Sequence, residues 1–476
     1  MGTSVALFVA TVVAYGSELQ GDSQSIVPAD EPDAIDALIA RTVQPDSSVE
    51  LLPEAPTETP TELPTLDIGN RIAIASHQIE TREYVEAINL LDGIISEIEQ
   101  QTSRYDPSLV VPLTLRGDAL TGAAKYEPAI AAYQQARHIT RITDGLHSTD
   151  QVGIVYREAA TLAEMGKFDK ADELEDYAFE TLQRKYGPFG PDLVPGLFHL
   201  AAWYERTGNL FTARALYERA LQILARVNGE NDPSLIPALR GLADTYRDEK
   251  FPQFRIPSAD PELEIGTLSG TAAPVSADRV IVVNRFAEGG AALSSIVRII
   301  QADPNAKPID RALAELDLAD WYLLFDKPAQ AIPIYLHARQ LMHEKAGLND
   351  EQIAAYFGQP TLLYRPTPGN PTAPPAALRT NAADGYVEIG YTVTEDGTVA
   401  DMKILASHPE ELMDIKVKRG MRVARFRPRF EGDNPVASFN QVYRHTFVYY
   451  PRAAPVAGNT QSRDTPHPSD EAQPPG

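Results

Sequence analysis

Nine histidines, no cysteine and an excess of carboxylates over Lys and Arg are the raw material for any chemistry in this chain. The histidines are scattered. None stands in an HExxH or other ligand spacing, and His337 and His343, six apart in a helical stretch, do not share a face. Without cysteine there is no thiolate nucleophile, no thiolate metal site and no disulfide. Gly289-Gly290 opens a helical stretch but lacks the Lys-Ser or Lys-Thr of a phosphate-binding loop, and no GxSxG elbow occurs. No catalytic, cofactor-binding or metal-ligating set is expected, and no small-molecule substrate; the chain reads as a non-enzyme. The one dense run of cations is Lys416, Lys418, Arg419, Arg422, Arg425, Arg427 and Arg429. It reads as a solvated helix face running into a strand. The competing uses are an acidic partner, peptidoglycan, lipid phosphate or the chain's own acidic repeats. A net charge of -24 excludes a nucleic-acid binder, which needs a basic surplus.

The elements that would position such residues fall into blocks. At 476 residues the chain exceeds one core, and its 38 prolines cluster between folded stretches. Val5–Ala14 is apolar apart from Thr11, too short to span a bilayer, and reads as the core of a secretory signal peptide over residues 1–16, cleaved after Gly16. A buried N-terminal helix is the alternative. Residues 17–69 read as a disordered, acidic, Pro-rich linker, with a short helix at Ala34–Arg41 as an option within it.

Residues 70–250 repeat themselves. Tyr84, Tyr126, Phe168 and Leu210 stand 42 residues apart, as do Ala87, Ala129, Ala171 and Ala213, and Ile94, Ala136, Ala178 and Ala220. Pro107, Pro191 and Pro233 share one register at helix starts, and Gly166 and Gly208 another at helix ends. A fixed period of this length predicts one helical hairpin per repeat, stacked into a solenoid. The small residues allow close crossings, and the aromatics fill the space between paired helices. The pattern Leu200-Ala201-Ala202-Trp203-Tyr204, Gly208, Leu210, Ala213, Tyr217, Ala220 resembles the tetratricopeptide repeat family, as does Leu115-Arg116-Gly117, Leu120, Tyr126, Ala129, Tyr133, Ala136. The 42-residue spacing resembles the subtype of kinesin light chains. Glu175 departs from the pattern where an aromatic would pack, and Leu174 is expected to cover the gap. Residues 251–284 read as an insertion. Residues 285–358 carry further repeats, with Leu318, Ala319, Trp321, Tyr322, Ala331, Tyr335 and Ala338 in the earlier offsets. The last helix of that hairpin is expected to cap the array, with a kink at Pro333.

Residues 359–383 read as a Pro-rich linker and 452–476 as a disordered tail. Between them the period becomes alternating. Gly385–Val393 and Val399–Leu405 read as a hairpin around Asp396-Gly397, Glu410–Ala424 as a helix and Val436–Tyr450 as a third strand. Gly385-Tyr386-Val387-Glu388-Ile389, Asp396-Gly397, Ser407, Asp414, Arg425-Phe426-Arg427-Pro428, Pro435-Val436 and Phe447-Val448-Tyr449-Tyr450 resemble, in order, the TonB C-terminal domain. Two departures stand out: no Tyr-Pro-x-x-Ala precedes the first strand, and Ala424 replaces an aromatic before Arg-Phe. The fold class expected is thus multidomain, an all-α tetratricopeptide-type solenoid followed by a small α+β (ββαβ) TonB-like domain over residues 384–451.

The resemblance implies that an extended peptide adds to the sheet edge, here around Val442, Tyr443, Arg444 and His445. By repeat register the groove of the array includes Asp118, Thr121, Tyr156, Phe198, Glu205, Arg240, Asp244 and Arg247, a mixture suited to peptide. The functional expectation is a periplasmic interaction adaptor linked to envelope transport. Its partners would be proteins or extended peptides, outer-membrane proteins among them, and it would be anchored only if the N-terminal segment is retained. The alternative is a TonB-type energy transducer for outer-membrane transport. An enzyme with residues 251–284 in its pocket is a third reading, supported by nothing beyond that insertion.

Overall fold

The computed structural model describes residues 67–251, 286–374 and 381–451. The expected signal peptide, most of the acidic linker, most of the insertion and the tail lie outside them. The chain divides into two compact units, residues 1–358 and 359–476.

The first unit is all helical. Its elements are α1 (Ile68–Glu80), α2 (Tyr84–Gln101), α3 (Val110–Gly122), α4 (Tyr126–Thr143), α5 (Val152–Glu164), α6 (Phe168–Tyr186), α7 (Val194–Arg206), α8 (Leu210–Asn228), α9 (Ile236–Lys250), α10 (Phe286–Ala302), α11 (Pro308–Leu324), α12 (Pro328–Gln340) and α13 (Asp350–Phe357). Each of the first twelve packs on its neighbours in sequence, so successive hairpins stack. Ala87, Ala129, Ala171 and Ala213, with Ala136, Ala178 and Ala220, are fully buried at the crossings. The turn inside each of the first four hairpins needs a left-handed residue, because the helix ends on a Schellman-type pair of bonds. After α3 these run from Ala124 N–H to Thr121 O and from Lys125 N–H to Leu120 O. Gly166 and Gly208 take that conformation without strain, with φ of 72° and 83°. Arg82 and Ala124 occupy the same register with φ of 65° and 56°. Tight turns at Pro107–Leu109, Pro191–Leu193 and Pro233–Leu235 lead into the next hairpin, and Thr149–Gln151 makes the same turn without proline.

At Glu175 the compensation differs from the one the sequence suggests. Tyr217 and Tyr133 hold the equivalent position two hairpins apart. Tyr217 fits because Gly241 has no side chain: a Cβ there would lie 2.2 Å from the ring. Position 199 is the register mate of 241, and there the chain has His199. Its imidazole reaches Glu175 at 3.0 Å and stacks on Tyr156 with ring centroids 3.6 Å apart. The missing ring is thus supplied from the facing helix, and Leu174 packs at the edge of the core rather than filling the gap.

Gly289-Gly290 has a packing role. A Cβ on Gly289 would meet the Trp321 indole at 2.1 Å, and Trp321 Nε1 donates to Phe286 O at 3.1 Å. Through this contact α10 joins α11, and it also packs on α9, so the helix beyond the insertion completes the fifth hairpin. Helix α12 runs through Pro333, ends in a π-turn at Leu341–Lys345, and is followed by α13. The capping element is therefore α13 and not α12. Phe357 of α13 is buried and meets Tyr335 edge-on at 6.1 Å.

The second unit contains β1 (Thr361–Tyr364), β2 (Ala383–Val393), β3 (Val399–His408), α14 (Asp414–Arg422), β4 (Arg425–Arg427), β5 (Arg429–Glu431), β6 (Asn434–Val436) and β7 (Ser438–Tyr449). The main sheet has the order β3-β2-β7, antiparallel throughout. Val387, Ile389, Tyr391 and Val393 alternate onto one face and bury against Met413, Val417 and Met421. Three expectations are corrected here. The helix starts at Asp414 rather than Glu410, because Glu411 holds a left-handed backbone with φ of 64°. Val436 ends a small β5–β6 hairpin, and the last strand begins at Ser438. Residues 361–364, read as part of a linker, form a strand on β4, with Leu362 opposite Phe426.

The family-like residues have local reasons. A Cβ on Gly385 would stand 2.4 Å from the Phe447 ring. Ser407 donates to Asp414 at the start of α14, 3.3 Å away. Gly397, with φ of 77°, closes the β2–β3 turn and accepts from Phe426 N–H at 2.9 Å.

Candidate functional site

The array and the sheet each present a surface, and the two differ in what remains unsatisfied. In the array, the residues assigned to the groove are mostly tied to neighbouring side chains of the array. Asp118 accepts from Tyr133 Oη at 2.7 Å and pairs with Arg157 at 3.1 Å. Thr121 and Thr161 hydroxyls meet at 3.0 Å. Arg247 pairs with Asp244 at 2.7 Å and with Asp248 at 3.1 Å. Tyr217 Oη donates to Glu205 at 2.9 Å. Burial, with Asp244 next in weight, pushes the Glu205 carboxyl up to about 8, while the Tyr217 hydroxyl opposes the shift. Arg240 is 7% exposed and pairs with Asp317, so it is part of the packing between hairpins rather than a groove contact. Tyr156 is committed to His199, and Phe198 lies half-buried, tilted against Tyr217. No group of acidic and histidine residues able to hold a metal ion occurs among the described residues.

The sheet leaves main-chain groups open. Both outer strands are edges, but they are unlike. β3 is broken by two bulges against β2 and by Asp401 in the left-handed region, devices that blunt an edge. β7 pairs with β2 in unbroken register from Gln441 to Tyr449. Val448 N–H donates away from β2, to Asn370 Oδ1 at 2.9 Å. Because main-chain groups alternate sides along a strand, those of Thr446, Arg444 and Val442 also point away from β2. Among the described residues no strand pairs with them.

The four residues assigned to this edge divide by face. Val442 and Arg444 are exposed, and the Arg444 guanidinium lies 4.0 Å over the Tyr386 ring. Tyr443 and His445 turn to the helix side, where Arg365–Asn370 crosses them. The Arg365 guanidinium sits 3.6 Å over the Tyr443 ring, and His445 Nε2 meets Gly369 O at 3.0 Å. His445 is buried, and burial moves its pKa down. Its imidazole is therefore not presented to a partner at the edge. Sequence reasoning missed Arg365 and Asn370; the Pro-Gly-Asn turn residues were the only local signal.

The cationic run divides too. Arg427 is buried and Arg429 pairs with Glu431 at 2.7 Å, while Lys416, Arg419 and Arg422 are exposed on α14. Within the described residues no helix is long and apolar enough to cross a membrane.

Comparison with known proteins agrees with both units. Residues 195–252 match the model of a tetratricopeptide repeat, and residues 371–442 match that of the Gram-negative bacterial TonB protein C-terminal. Protein TonB from Pseudomonas aeruginosa is 32% identical over 73 residues, which are 15% of this chain and 21% of that protein. The chain thus spans about a fifth of the length of that curated relative. Among solved structures, the nearly identical TPR-like repeats of a putative kinesin light chain from Podosopora anserina are 18% identical, covering 38% of this chain and 85% of that one, with a TM-score of 0.34. BtubC (BKLC) from P. vanneervenii is 15% identical over 59% of this chain and 93% of that one, also with a TM-score of 0.34. The chain carries a tetratricopeptide-type helical array followed by a TonB C-terminal domain.

Proposed function

We propose that this chain is a non-enzymatic adaptor of the periplasm, whose array holds one protein partner while its TonB-like domain takes an extended peptide from another, an outer-membrane protein. The observation that carries the reading is the edge of β7 from Gln441 to Phe447, which pairs with no other strand among the described residues and keeps an unbroken register on β2. Such an edge offers a row of main-chain donors and acceptors, and strand addition is the binding mode that uses them. Retention of envelope proteins by the full chain, by residues 67–358 and by residues 359–476 tests it. The adaptor reading expects different proteins on the two halves and both sets on the whole. Halves that retain nothing from an envelope extract would sink it.

The likeness to Protein TonB over the C-terminal domain supports a second reading, an energy transducer driven from the inner membrane. That role requires a membrane anchor. N-terminal sequencing of the mature protein separates the two: a first residue of Ser17 leaves no anchor in residues 1–16, whereas an intact apolar segment favours the transducer.

A further inference from the structure

The edge of β7 is bounded at both ends. At its start Asn440 adopts a left-handed backbone, φ 55°, which bends the strand out of line. At its far end the outward amide of Val448 is already taken by Asn370 Oδ1. Asn370 is itself held, since its carbonyl accepts from Lys416 Nζ at 3.4 Å and the neighbouring Gly369 carbonyl meets His445. The crossing segment is seated as well: the Cβ position of Gly420 on α14 is 3.3 Å from Pro366 O, so a larger residue there would crowd it. Between these two stops lie the outward groups of Val442, Arg444 and Thr446.

We propose that Asn370 is the register stop of this edge. Its side-chain amide oxygen stands where the carbonyl of an added strand would stand. The partner segment is therefore an extended peptide of about six residues lying along Gln441–Phe447. The inference rests on the strand-addition reading above and adds to it where the added strand must end. It also assigns the faces. On the helix side, the ground beside Tyr443 and His445 is occupied by Arg365–Gly369, so the partner's readable side chains are those beside Val442, Arg444 and Thr446.

The test uses the full chain and two synthetic peptides. One is acetyl-Thr-Val-Thr-Val-Thr-Val-amide; the other is the same sequence lengthened by Thr-Val-Thr at each end. The short peptide should bind wild type and Asn370→Ala alike. The long peptide should bind Asn370→Ala about three- to tenfold tighter than wild type, the worth of one more main-chain hydrogen bond. Asn370→Asp keeps an acceptor and should behave as wild type. In the unliganded protein the Val448 amide should exchange slowly in wild type and in Asn370→Asp, and quickly in Asn370→Ala. If the long peptide gains nothing from Asn370→Ala although Val448 exchanges faster, the register stop is overturned and edge binding stands. If neither peptide, at millimolar concentration, protects the amides of Val442, Arg444 and Thr446 in any variant, the edge-binding reading falls and takes this inference with it.

Discussion

The array and the C-terminal domain satisfy their polar groups over different distances, and that difference locates where a partner can enter. Helices close their main-chain bonds within a turn, so the described helices of the array leave open backbone only at their ends. The groove side chains pair within a hairpin, as Asp118 with Tyr133 and Arg247 with Asp244, or across to the next, as Asp118 with Arg157. A sheet closes its bonds only with a neighbouring strand, so the last strand must leave half of its groups to water or to a partner. The domain blunts one edge with bulges and leaves the other regular from Gln441 onward. On the proposed function, the array would recognise through side chains already tied into its stability, and the sheet through groups its stability does not use. Mutations should couple binding to folding in the first unit and separate them in the second.

The largest effect expected is on the array. Ala213→Asp places a charge at a fully buried crossing and should destabilise the unit by about 2–5 kcal/mol in denaturant unfolding. An unchanged midpoint would refute the 42-residue register. Next is the ring exchange around Glu175. Glu175→Tyr alone inserts a ring where His199 and Tyr156 already pack, at a cost of about 1–3 kcal/mol. Adding His199→Gly recreates the Tyr217–Gly241 fit and should recover about 0.5–3 kcal/mol as a coupling energy. Strict additivity in the double-mutant cycle would show that the two positions do not trade places. For the sheet, Thr446→Pro removes an outward N–H and leaves the β2 ladder whole. It should weaken the short peptide at least about tenfold, the scale of one or two lost hydrogen bonds, with little change in melting. Tyr443→Pro, by contrast, removes a ladder bond and should unfold the domain. Equal melting of the two variants would mean that the outward and inward positions have been exchanged.

How far the sequence could be read follows the same division. Ala87, Ala129, Ala171 and Ala213 are legible because a repeat places equivalent contacts at equal spacing. The Glu175–His199 pair was not, because it depends on which facing residue lacks bulk 24 positions later, a trade visible only when both helices are in place. In the C-terminal domain the alternation of Val387, Ile389 and Val393 gave the sheet and hence its edge. Strand β1 was hidden because it has four residues within Pro-rich text, and its partner β4 lies far along the chain. Tyr443 and His445 lie on the edge strand as expected, but their side chains face the covered side, for a related reason. Alternation separates the two faces of a strand, but only the crossing segment at Arg365–Asn370 decides which face is covered.

Glu205 gives the pH dependence of the array. Its carboxyl, ordinarily near 4.5, is pushed up to about 8 chiefly by burial. The folded chain therefore keeps a proton that the unfolded chain releases, so stability falls as pH rises from about 4.5 to about 8 and levels off above that. Glu205→Gln, which retains an acceptor for Tyr217, removes this slope. It should stabilise by on the order of 1–2 kcal/mol at about pH 9 and by little at about pH 5. Among the described residues of the C-terminal unit no carboxyl is pushed up in this way, and a slope that persists in the Gln variant points first to Asp244 of the array, which burial also raises.

The smallest effect probes backbone alone. Ala124 holds the left-handed position that Gly166 and Gly208 hold in later hairpins, at φ 56°. An L-residue there costs roughly 1–2 kcal/mol in the folded chain, and glycine's extra freedom in the unfolded chain offsets about 0.4–1 kcal/mol of the relief. Ala124→Gly should therefore stabilise by about 0.5 kcal/mol, and Gly166→Ala should destabilise by a comparable or larger amount. Both are read from denaturant midpoints at constant slope. A shift of the same sign for both would show that the turn is set by the stacking of the hairpins and not by the residue at the cap.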